Sequence, residues 1–199
     1  MAQASAKARS PRREPVLGER FSVFAECLLT GVWIAVACLG LVTYPAAFAA
    51  GARHLRRRTA HVAGGWREFL ADFRAALRGG WFVGLAGWAA AAAVWVDVQA
   101  ARAGLPGGPL VGAVGLLALI TAAVAGLRAA ATWTPRAAWR SLLRAAGRRT
   151  VLDPAGSFLL VGGVAVVACS GWFSPPLAVP VLGAVAAAAV AVEERYRHR

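Results

Sequence analysis

The chain is 199 residues long, 59% hydrophobic, and carries a formal net charge of +13, with 21 of its 22 basic residues being Arg. Its mean hydropathy of +0.58 is gathered in long apolar blocks between Arg-rich stretches, which excludes an ordinary soluble domain and is the pattern of a membrane protein. Every large Arg cluster adjoins an apolar block. The basic balance therefore reads as positive-inside topology against a bilayer with anionic headgroups, and excludes nucleic-acid binding.

In chain order, residues 1–18 are rich in Pro, Ser, Arg and Glu and read as a disordered basic tail, since that composition cannot bury a core. The apolar run beginning at Phe21 is too long for the h-region of a signal peptide. Residues 19–199 read as one integral membrane domain. The first apolar block, Phe21 to Ala50, exceeds the roughly 20 residues that one span needs, and Pro45 is expected to end or kink its helix near Tyr44. Two layouts follow. Either residues 21–45 cross once, leaving the five basic residues that precede Phe21 outside, or the block turns back near Gly40–Pro45 and the tail stays inside. Hydropathy length favours the single crossing.

Further spans are expected at 80–101, 110–127, 156–173 and 177–192. "RAGLPGGP" joins the first two of these and "SPP" the last two, so each pair forms a helical hairpin. The sequence predicts an all-α polytopic membrane protein: one broken first element, two hairpins, and amphipathic helices on the cytoplasmic side.

The stretch "GGWREFLADFRAALRGGW" (64–81) interrupts this apolar pattern. Trp66, Phe69, Leu70, Phe73 and Leu77 share one helical face, with Arg67, Glu68, Arg74 and Arg78 elsewhere. The segment is too polar to span, and its pattern suits a helix lying in the membrane interface. "WRSLLRAAGRR" precedes the second hairpin as this stretch precedes the first, which suggests a loose internal repeat. Seven Arg lie in 51–79, six in 128–149 and three in the C-terminal "RYRHR", against one, Arg102, in the hairpin turns. These loops and the C-terminus are therefore expected to face the cytoplasm of a multi-pass cell-membrane protein.

The segment "LVTYPAAFAAGARHLRRR", followed by the amphipathic stretch with its "F..FR..L" spacing and then a hairpin, resembles the YesL-like family of bacterial integral membrane proteins. The likeness runs from about Arg20 to Val192. It departs in having Tyr44 and Ala46 where a Gly-Pro-Ala-like run is expected. The resemblance implies an accessory role in membrane transport, with carbohydrate uptake through an ABC transporter as the setting.

Ionisable or polar groups inside an apolar block are the first candidates for function. These are Glu26, Thr43 and Asp97. Gly80, Gly84 and Gly87 form a small-residue edge for close helix approach, within the chain or between copies. Trp81, Trp88 and Trp95 fall on nearly one face, read as packing against lipid or helix. Cys27, Cys38 and Cys169 read as small core residues, and His54 and His61 as solvated. No paired carboxylates, nucleophile–base set, phosphate-binding loop or metal-ligand spacing occurs, so neither enzyme nor cofactor is expected. Two classes of function remain: an accessory or assembly subunit of a transport system, with an ABC-transporter permease or a second copy as partner, and a small self-contained transporter or channel. A membrane-bound regulatory partner is a variant of the first.

Overall fold

The computed structural model describes residues 16–62, 64–104 and 107–198. The expected basic tail lies outside these residues except for its last three positions, Val16 to Gly18, which begin the first helix. Among the described residues the protein is all-helical, without a strand. The helices are α1 (Val16–Ala37), α2 (Tyr44–Thr59), α3 (Trp66–Arg102), α4 (Gly108–Thr132), α5 (Trp139–Leu152), α6 (Pro154–Phe173) and α7 (Pro175–Arg197), with a 3-10 turn, Cys38–Gly40, after α1. Four of them, α3, α4, α6 and α7, are long and apolar enough to cross a membrane. At 1.5 Å per residue even the shortest, the 20-residue α6, matches a hydrocarbon core about 30 Å thick.

The first element differs from the single crossing expected over 21–45. The apolar helical run through α1 and its 3-10 turn ends at Gly40, and Leu41 turns the backbone with φ +54°. The Thr43 hydroxyl donates to the Ala37 carbonyl at 2.5 Å and clamps the turn. Pro45 sits in the first turn of the next helix, where its missing N–H is harmless. α2 then runs back along α1. Glu26 stands beside His54 and Arg58, and Thr30 and Ile34 lie against Gly51. The start of α1 and the Arg-rich end of α2 thus share one end of the molecule. The physical reason is composition: "PAAFAAGA" carries almost no side-chain bulk, so neighbouring helices approach its backbone closely. Ala46, Ala47, Ala49 and Ala50 are all fully buried, and α2 is packed by α1, α3, α4 and α7. What hydropathy marks as the tail of a span is the centre of the bundle.

α3 merges the charged stretch and the second apolar block across a kink. Arg78 (ψ 83°) and Gly79 (φ 107°) leave helical geometry. Gly79 adopts a left-handed φ that a side chain would strain. The Trp139 ring covers the kink, its indole donating to the Ala76 carbonyl at 3.0 Å. The order of a charged lead-in followed by two long helices occurs twice, as α3–α4 and α5–α7. The two leading tryptophans nevertheless differ, since Trp139 is buried and Trp66 is half exposed.

Candidate functional site

The lead-in of α3 does not present its apolar face outward. Phe69 is 1% exposed, with its ring 5.3 Å from that of Trp33 on α1. Phe73 packs into the cores formed by α2 with α4 and by α1 with α7. Leu70 and Leu77 are half-buried, and Trp66 stacks on Phe69. The same side carries Asp72, buried against Arg53 (3.4 Å) and Arg57 (2.9 Å) of α2. The segment is therefore a helix docked on its own chain. Its amphipathicity was readable, but a pattern of apolar and charged positions does not distinguish a lipid seat from a protein seat. Asp72, three residues after Phe69, was the available signal for protein.

The glycine edge also closes on this chain. A side chain on Gly84 would meet the Val42 carbonyl, one on Gly87 the Tyr44 hydroxyl, and one on Gly80 the Trp139 ring. Gly84 and Gly87 thus receive the α1–α2 turn. Trp88 completes that contact by donating to the Leu41 carbonyl at 2.8 Å, while Trp81, Trp88 and Trp95 remain substantially exposed. Asp97 sits half-buried between α3 and α4, near Leu110, Val111 and Gly115. Cys169 is exposed on α6, unlike the half-buried Cys27 and Cys38.

Charged groups converge at the end where α2, α4 and α7 finish and α3 and α6 begin. Glu26 pairs with Arg58 at 2.5 Å and lies 3.4 Å from His54 Nε2. His54 is wholly buried rather than solvated, in an edge-on contact with Trp33 whose ring centroid lies 4.9 Å away. Arg56 donates to the Trp133 carbonyl at 2.6 Å.

The deeper cluster centres on Arg128 of α4, which is 0% exposed. Its guanidinium donates to Glu193 of α7 at 3.1 Å and to the Asp153 carboxylate at 3.0 Å. It also reaches the Asp153 carbonyl and Ser157 Oγ. Arg149 of α5 donates to the other Glu193 oxygen, and Arg195 lies 3.6 Å from Asp153. Asp153 also caps α6, accepting from the Gly156 N–H. Gly156 has a second role here, because a Cβ would stand 2.7 Å from both Arg128 Nη2 and Val192. Burial alone would raise the Asp153 carboxyl, but the Arg128 bond, the Gly156 N–H and the charges of Arg128 and Arg195 outweigh it and hold it below its ordinary 3.8. Such a group stabilises the fold fully above pH 3.8, and that contribution fades as pH falls through its lowered value.

None of Arg128, Asp153 and Glu193 stood out in the sequence, because each lies where an apolar block meets a loop and such charges ordinarily face water. Chemically the cluster ties four helices together. Among the described residues no three His, Cys, Asp or Glu side chains are placed to hold a metal ion.

Between α2, α3, α4, α6 and α7 lies a cavity of about 410 Å³. Its lining is hydrocarbon apart from Tyr44 and backbone, and Leu143 of α5 reaches it at the arginine-rich end. At roughly 24 cal/mol per Å³, a closed and empty void of this size would cost on the order of 10 kcal/mol, comparable to the whole stability of a typical domain.

Compared with protein-family models, curated proteins and solved structures, the chain finds no match.

Proposed function

We propose that this multi-pass membrane protein is a non-catalytic accessory or assembly subunit of a transport system, with its arginine-rich end in the cytoplasm. The observation that carries this reading is the separation of polar from apolar groups. The paired charges collect at one end, whereas the cavity within the bundle is lined by hydrocarbon. A conduit for sugars or ions needs polar groups around the middle of the membrane, and the four long apolar helices supply few. The likeness to YesL-like proteins adds the setting, carbohydrate uptake beside an ABC-transporter permease.

The orientation is tested by single-cysteine labelling of intact cells, in a background lacking Cys27, Cys38 and Cys169. A Gly104→Cys protein is expected to react and an Ala71→Cys protein to be spared. With α2 turned back along α1, Ser5→Cys is expected to be spared as well. The reverse pattern overturns the orientation.

The accessory role is tested in two arms. Purified protein in liposomes is expected to pass no sugar or ion. In cells, disulfide or photo-crosslinks placed at exposed Arg67 and Arg74 are expected to capture an ABC-transporter permease. Solute flux from the protein alone, abolished by Glu26→Gln, would establish a self-contained transporter instead.

A further inference from the structure

We propose that the cavity between the two helical hairpins holds one acyl chain of an anionic phospholipid, with its headgroup at the α5 arginines. Three observations lead there. The first is access. Val83, Ala86 and Ala90 of α3 and Val164 and Val167 of α6 line the same space, yet α3 and α6 do not touch each other. Four helices of membrane-spanning length and composition surround this gap, so the molecules that reach it in a bilayer are lipids.

The second is the character of the space. Its volume of about 410 Å³ falls within the range of ligand sites, and its lining has too few polar groups to hold several waters. Small residues on α4 make the room, Ala122, Ala123 and Gly126 among them. A side chain added at Gly126 would meet nothing within 4 Å. A flexible hydrocarbon chain fits such a lining, whereas a polar solute would lose its hydration there without replacement.

The third is charge. α5 crosses the arginine-rich end, and its Leu143 reaches into the cavity. Arg140 and Arg144 flank that leucine on the same helix and are exposed. Neither has a carboxylate partner among the described residues, unlike Arg128 and Arg149. A lipid phosphate beside these guanidinium groups would supply the missing counter-charge.

The test uses the full chain in phosphatidylcholine vesicles doped with phosphatidylglycerol that carries a photoreactive diazirine in one acyl chain. Crosslinked peptides are then mapped. Labels are expected on cavity residues of α3 and α4, such as Ala86 and Ala123. Gly126→Phe is expected to abolish them, while Gly162→Phe, on α6 outside the cavity and also with open space at its Cβ, retains them. Gly126→Leu replaces the phenylalanine variant if that does not fold.

Arg140→Gln combined with Arg144→Gln is expected to bring cavity labelling by phosphatidylglycerol down to the level given by a diazirine phosphatidylcholine. Labels confined to outward positions such as Val96 and Leu117, equal in parent and Gly126→Phe, would overturn the site. Equal cavity labelling by both phospholipids in the parent, or labelling by a diazirine fatty acid alone, would overturn the anionic phospholipid as its occupant.

Discussion

Replacing Arg128 with leucine is expected to destabilise the protein by about 3–5 kcal/mol, the range for removing one partner of a buried ion pair. In detergent this corresponds to a fall in melting temperature of roughly 6–20 °C for a chain of this size. The size of the effect comes from what stays behind. Asp153 and Glu193 are each about 2% exposed, and without the guanidinium both carboxylates would lie buried, deprived of the charge that bridges them. Arg195 is half in solvent and more distant. Removing the charges together should be far milder. In the triple variant Arg128→Leu, Asp153→Asn, Glu193→Gln, the asparagine still caps α6, and Arg149 and Arg195 can turn to water. Recovery of most of the lost stability by the triple variant is the expected result. A single variant no less stable than Arg144→Leu, which changes an exposed arginine, would show that the network does not hold the helices. Asp153 also sets an acid limit: the parent's melting temperature should hold down to about pH 3.8 and fall as pH drops further, through the lowered value of the carboxyl. Asp153→Asn should flatten that fall while lowering stability at neutral pH.

The four long helices were legible because hydropathy sums over some 20 residues and does not depend on what each residue meets. Glu26 was legible for the same reason, as a carboxylate inside an apolar block. Its partners were not. His54 and Arg58 stand 28 and 32 positions further on, in a run of arginines that resembles any cytoplasmic loop. Arg128 finds Asp153 and Glu193 across separations of 25 and 65 residues, pairings that no local pattern contains. The turn near Gly40–Pro45 was one of two layouts open for the first block, and hydropathy leaned to the other. The block's length suggested one long span, and its return arm reads as weakly apolar, because alanine and glycine add little to hydropathy. In the fold those residues are almost wholly buried, since small side chains let four helices meet at one.

That close meeting is also where a single added side chain should do most damage. On α1 a Cβ at Gly31 would collide with the Val179 carbonyl, and on α7 one at Gly183 would collide with the Cys27 carbonyl. The two glycines face each other, so α1 and α7 touch backbone to backbone. They are needed for this approach rather than for an unusual φ, as neither has a positive value. Overpacking a core typically costs 1–3 kcal/mol when flexible side chains can yield. Here the obstacle is main chain, and Gly183→Leu is expected to reach roughly 3 kcal/mol or more by the same mechanism. α1 would have to move away, opening the cluster in which Ile34, Ala47 and Leu55 pack on Ala186. The four long helices should still insert, because their hydropathy is unchanged. The variant should therefore remain in the membrane with a lower melting temperature, and Cys27, half-buried in the parent, should react faster with a maleimide. Gly162→Leu, where an added Cβ meets open space, should change neither readout. A Gly183→Leu protein as stable as the parent, with Cys27 no more reactive, would mean that α1 does not lie on α7 and that the turned-back first hairpin is not the state present in the bilayer.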